Sequence, residues 1–140
     1  MGRGRFELME HTGDIGLRIW APTPEEIFAL ACRGWLSVVT APESVSPSET
    51  RFLEAEATHF DELLIRWLNE LNFLFSAEGW LPAEANIREL SPSRIRAAIK
   101  GEPFQPEKHA ILREIKAATY HQLVFEERNG VWFAQVIFDI

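Results

Sequence analysis

The chain has 140 residues, 46% of them hydrophobic, with a formal charge of -7 at neutral pH and an isoelectric point near 5.1. That length and apolar content suit a single compact domain over residues 1–140 with a real core. The acidic balance excludes a protein that holds nucleic acid mainly through a basic, phosphate-neutralising face. One cysteine, Cys32, excludes an internal disulfide and fits a reducing compartment. The longest apolar stretches are broken by Arg33, Arg66 and Glu70, which excludes a bilayer span. The basic start, Met1 to Phe6, runs into Glu7 and Glu10 rather than an apolar core, unlike a secretory signal. A cytoplasmic location is the resulting expectation.

Ile15, Leu17, Ile19 and Ala21 alternate with Gly16, Arg18 and Trp20, which predicts a strand near 15 to 21 with one face toward a core. Thr23, Pro24 at the first helical position and Glu26 at the third form a capping-box signal. The helix they start is expected to reach about Val39, with Ile27, Phe28, Leu30, Ala31, Cys32 and Leu36 inward. Ala41 to Thr50 holds Pro42, Ser44, Ser46, Pro47 and Ser48 and reads as an exposed connection, followed by a short strand near Arg51 to Ala57. Thr58 with Asp61 marks a second helix start. Leu63, Leu64, Trp67, Leu68, Leu71, Leu74 and Phe75 make this helix broadly apolar, as for one covered by two sheets or by a sheet and the first helix. Asn69, Glu70 and Asn72 interrupt it and read as a thin solvated stripe or helix-end packing.

After Gly79, strands are predicted near Trp80 to Leu90 and Arg94 to Lys100, with a turn at Ser91, Pro92 and Ser93 and a loop over 101–108. Asn129 and Gly130 then lie between two β-rich runs, at about 113–128 and 131–139, and favour a two-residue hairpin. Counted along an unbroken ladder, Arg128 opposes Val131, Phe125 opposes Ala134, Leu123 opposes Val136, and Tyr120 opposes Asp139. Leu123, Phe125, Trp132, Val136 and Phe138 fall on the core face, and Tyr120 and Asp139 on the other. On this count Lys116 shares the second face but lies about 13 Å from Tyr120 along the backbone.

The residues that suggest chemistry sit at the two extremes of the sequence. Asp14, Asp139 and the carboxyl group of Ile140 offer only oxygen ligands, and such a set suits a hard cation, calcium or magnesium. His11 beside them would tilt the preference toward manganese or zinc. A small acid-base hydrolase built from His11, Asp14, Tyr120, His121 and Asp139 is the competing reading, although His121, opposite Phe138, is expected to be a packed core histidine. His59 and His109 read as helix-start and loop residues. Neither a Gly-x-Ser-x-Gly turn nor a phosphate-cradling glycine loop is present.

Four segments together resemble the archease family. They are the run His11 to Gly16, the helix stretch Trp67 to Leu71, the segment Glu114 to His121, and the closing Asp139 and Ile140. The likeness covers nearly the whole chain and implies an α+β fold: a strand-helix-strand-strand module with inserted strands, a second helix and a C-terminal β-hairpin. It implies a protein cofactor rather than an enzyme, an activator of the RtcB-type tRNA-splicing ligase that promotes its guanylylation and multiple turnover. An older association of the family, kept as the alternative, is chaperone-like modulation of a tRNA methyltransferase. The resemblance further implies a divalent cation, typically calcium, on Asp14, Asp139 and Ile140, with His11 and Tyr120 as possible neighbours. Lys116 and Glu114 become candidates for ligase activation. Gly13 stands where the family usually has alanine.

Overall fold

A computed structural model of the chain describes residues 4–140. Residues 1–3, the first half of the basic start, lie outside the described residues. Seven strands and two helices follow in the order β1 (Arg5–His11), β2 (Asp14–Ala21), α1 (Pro24–Val39), β3 (Glu49–Glu56), α2 (Phe60–Ser76), β4 (Trp80–Ser91), β5 (Arg94–Pro103), β6 (Ala117–Arg128) and β7 (Val131–Asp139). One antiparallel sheet has the order β1-β2-β7-β6 and the other β3-β5-β4. The architecture is the expected α+β arrangement with a C-terminal hairpin. No helix is long and apolar enough to cross a membrane among the described residues.

Each helix touches both sheets and the other helix. That explains why α2 is apolar over so much of its circumference: Leu63, Leu64, Trp67, Leu68 and Leu71 are all fully buried. Trp67 lies edge-on to Phe28 and donates from Nε1 to the Phe28 carbonyl at 3.0 Å, so this fully buried ring leaves no unpaired donor. The start of α1 follows the sequence pattern, with Pro24 in the first turn and the Thr23 hydroxyl accepting from Glu26 N. The start of α2 departs from it. His59 is the cap residue, and the backbone N–H and hydroxyl of Thr58 both donate to Glu62 Oε1, so Glu62 and not Asp61 is the partner of Thr58.

Three further differences matter for the site. β1 is an element that the sequence pattern does not predict, because an edge strand of alternating charge and modest hydrophobes, RFELMEH, carries a weak period-two signal. β5 extends to Pro103, which shortens the expected loop, and β6 begins at Ala117, leaving residues 113–116 as a strap outside the sheet. Most important, the terminal hairpin keeps the expected register only near its turn. Arg128 faces Val131 and Phe125 faces Ala134, with Asn129 and Gly130 both left-handed at φ 52° and 82°.

Beyond Val124, opposite Gln135, the next pair is Thr119 with Ile137. Tyr120, His121, Gln122 and Leu123 are therefore set against Val136 alone, so neither Leu123–Val136 nor Tyr120–Asp139 pairs, and Ala117 faces Asp139 instead. This wide bulge turns on Gln122, left-handed at φ 52°, whose carbonyl accepts from Gln135 Nε2 at 2.8 Å. Gln135 Oε1 in turn accepts from Arg18 Nε at 2.9 Å, which ties the bulge to β2. Phe133 and Ile137, which share the face of β7 that carries Asp139, are buried as well, consistent with β7 being an inner strand of its sheet.

Candidate functional site

The turn Thr12–Gly13 joins β1 to β2 and brings the chain straight into Asp14. Gly13 is left-handed there, at φ 86°, a conformation that costs an L side chain about 1–2 kcal/mol. Gly13→Ala is accordingly expected to lower stability by about 1–2 kcal/mol in urea denaturation.

β2 and β7 pair antiparallel with Asp14 directly opposite Asp139. Opposed residues of such a ladder have Cα atoms about 4.5–5.5 Å apart and side chains on one face. The adjacent pair, Ile15 and Phe138, turns into the core, so the two carboxylates point to the outer face of the sheet. The backbone draws other residues to the same place: Ile140 N donates to Gly13 O at 3.5 Å and Lys116 N donates to Asp139 O at 2.8 Å. A hollow of about 270 Å³ results, lined by Asp14 and Asp139 with Thr12, Gly13, Thr119, Ile137 and His121.

Within it Asp14 Oδ1 is buried and has no hydrogen-bond partner among the described residues, whereas Asp139 is exposed. A buried carboxylate oxygen without a partner beside a second acid is costly, and a hard cation is the ligand its chemistry suits. Among the described residues no three His, Cys, Asp or Glu side chains converge as a cation site. The side chains here thus supply two carboxylates, and any further ligand must come from the main chain or solvent.

His121 and Tyr120 leave the places that unbroken alternation assigned. His121 is exposed and lines the hollow instead of packing in the core, because the bulge inverts its facing. Tyr120, 60% exposed, borders a separate hollow with Arg66, Asn69 and Glu70 of α2. His11 lies opposite Asp14 in the ladder and is exposed. Glu114 and Lys116 are both exposed on the strap.

The strap is fixed by Asn69 and Asn72, which read from the sequence as a thin solvated stripe or helix-end packing and instead hold backbone groups inside the fold. Asn72, buried in α2, accepts from Trp35 Nε1 at 2.9 Å and donates from Nδ2 to Ile115 O at 2.9 Å. Asn69 accepts from Ala118 N at 2.8 Å and donates to Ala118 O at 3.3 Å. The one available signal was polar amides three apart on a helix face that is otherwise apolar.

A second polar cluster lies away from the hollow. Glu102 is buried, and its carboxylate accepts from Lys108 Nζ, Ser46 N and His109 Nε2 at 2.9, 2.8 and 2.8 Å. Burial pushes this carboxyl up, but the bonds from Lys108, Ser46 and His109 outweigh it and hold the group down at about 2. His109, expected as a plain loop residue, is 2% exposed, and its Nδ1 accepts from Gln105 N, which leaves Nε2 carrying the proton toward Glu102. Cys32 is fully buried and its thiol is pushed up to about 12 by burial, so it is chemically inert at neutral pH.

Two antiparallel sheets closed over two helices, with an acidic pair formed where the first hairpin meets the last strand, define a small α+β protein with its candidate site at one end of a sheet. The chain belongs to the archease family. The family model described as the archease protein family (MTH1598/TM1083) matches residues 6–140. Archeases of Methanopyrus kandleri and Thermococcus kodakarensis are 34% and 35% identical over 138 and 140 residues, covering 96% and 97% of this chain and 99% of each relative. Among solved structures, the solution structure of protein 1598 of Methanobacterium thermoautotrophicum is similar at a TM-score of 0.80 and 28% identity, covering 96% of this chain and 98% of that one. The crystal structure of a Thermotoga maritima archease, described as a possible chaperone, is similar at 0.68 and 25% identity, covering 94% of each chain.

Proposed function

We propose that this protein activates an RtcB-type RNA ligase, promoting guanylylation and repeated turnover in tRNA splicing, and that it does so with a divalent cation, calcium, held by Asp14, Asp139 and the carboxyl group of Ile140. The observation that carries the reading is the register that sets Asp14 against Asp139, together with the unpartnered Oδ1 of Asp14. Membership of the archease family and the signature segments at both extremes support the choice of partner. Bound there, a hard cation would supply positive charge to the acidic pair. The chain's own contribution is to present Lys116 and Glu114, exposed on the strap that leads to Ala117 opposite Asp139, to the ligase. A partner shifts an equilibrium only by its differential affinity for two states, so this surface must bind the guanylylation-competent ligase more tightly than the resting one.

Single-turnover guanylylation of a cognate ligase, with and without this protein, under calcium and under EDTA, tests the reading. Stimulation only in calcium is the expected result, and its absence in every condition overturns the proposal. Adding one residue after Ile140 displaces the carboxyl group assigned to the cation. Calorimetric titration is expected to show roughly tenfold weaker calcium binding for that variant, a loss of about 1.4 kcal/mol. The second reading, chaperone-like modulation of a tRNA methyltransferase, is favoured by the description of the Thermotoga maritima relative as a possible chaperone. It predicts a change in methyltransferase aggregation or site choice with no effect on the ligase.

A further inference from the structure

We infer that Asn69 and Asn72 of α2 are positioning residues that hold Lys116 in register with the acidic pair, an inference that rests on the function proposed above. Residues 113–116 precede β6 and, apart from the Lys116 N–H on the Asp139 carbonyl, lie outside the sheet ladder, so most of their path has to be set from outside the sheet. The side-chain amide of an asparagine carries the same donor and acceptor as a peptide group. Asn69 uses both on one residue, taking the N–H of Ala118 and giving to its carbonyl, as a neighbouring strand would. Asn72 holds the Ile115 carbonyl. Lys116 thus lies between two points clamped to α2, while its own N–H is held by the Asp139 carbonyl. The strap cannot slide along β7 without breaking these bonds.

The orientation of the Asn72 amide is itself fixed. Trp35 Nε1, on a fully buried ring, donates to Oδ1, which turns Nδ2 toward Ile115. A leucine at either position would suit an apolar helix, yet it would orphan the Trp35 N–H and the Ile115 carbonyl, or the polar groups of Ala118. Buried amides kept where hydrophobes would pack equally well serve to specify a single path. Here the path determines where the exposed lysine stands relative to Asp14 and Asp139.

Asn69, only half-buried, is the position to test, because replacing Asn72 also strips Trp35 of its partner. Ligase guanylylation at saturating archease is measured for wild type, Asn69→Ala, Lys116→Ala and the double variant, with amide hydrogen exchange on each. Asn69→Ala and Lys116→Ala are each expected to lower stimulation about tenfold, and the double variant is expected to lose no more than either alone. Exchange at Lys116 and Ala118 should quicken while Leu17 and Val136 stay protected, a split that general destabilisation does not produce. Should Asn69→Ala fail to fold, Asn69→Asp keeps the acceptor for Ala118 N and replaces the donor with a carboxylate oxygen that the Ala118 carbonyl repels. Additive losses, unchanged exchange at Lys116 and Ala118, or full stimulation by Asn69→Ala beside a stimulating wild type overturns the inference alone. A wild-type protein without stimulation overturns the functional reading and the inference with it.

Discussion

Asp14→Ala and Asp139→Ala are each expected to abolish stimulation of the ligase and the stabilisation that calcium gives, while leaving the metal-free protein as stable as before or more so. The two carboxylates are opposed on one ladder, and like charges directly across a sheet are destabilising. Removing either relieves that repulsion and takes no packing from the core, since both side chains point away from it. Calcium at a hundredfold excess over its dissociation constant would stabilise wild type by about 2.7 kcal/mol, or about 10 °C in melting temperature for a chain of this size. The alanine variants should show no such shift in calorimetry. Variants that melt like wild type with calcium and stimulate the ligase fully would remove the acidic pair from both roles.

Glu102→Ala is expected to have the largest effect on stability, about 3–5 kcal/mol, because it leaves His109 Nε2–H, Ser46 N–H and Lys108 without their shared acceptor. Wild type has an acid dependence from the same group. The Glu102 carboxyl is held at about 2 in the folded chain against an ordinary value of 4.5. Between these values the unfolded chain binds the extra proton, so stability rises with pH. The contribution is therefore complete above about 4.5 and is lost as pH falls through about 2, amounting to on the order of 3 kcal/mol. Urea melts in acid should show this slope in wild type, and Glu102→Gln should flatten it. An unchanged slope would assign the acid sensitivity to other groups. The loss should open the segment after β5 first, since that segment is otherwise held by Thr40 Oγ1 to Ala110 O and Leu112 N to Val39 O.

What was legible in the sequence follows from how local its causes are. The α1 cap, the Asn129–Gly130 turn and the near half of the hairpin depend on residues within a few positions of one another, and they stand as read. Asp14 and Asp139 drew notice as acids at strand ends, and the segments shared with the family joined them before any register was known. The bulge at Tyr120–Leu123 was not legible. Its cause is a side-chain bond from Gln135 to the Gln122 carbonyl, and hydrophobic alternation runs through it without a break. One inserted irregularity reversed the places of Tyr120 and His121. Asn69 and Asn72 read as a solvated stripe for a related reason, since a polar residue in an apolar stretch looks the same whether it is solvated or holds a distant backbone, and the polar segment of Glu102 and His109 reads as plain loop until Ser46 and Lys108 close around it.

The strand order of the larger sheet also sets a sequence of events in folding. Its outer pairings, β1 with β2 and β6 with β7, are hairpins that close locally and fast. The pairing that joins them, β2 with β7, links residues such as Arg18 and Gln135, 117 positions apart, and closure over that separation costs the most chain entropy, so it is expected to come last. Asp14 meets Asp139 only in that step. A chain stalled with both hairpins made has every residue of the site and no site, so the acidic hollow reports completed folding to whatever binds it.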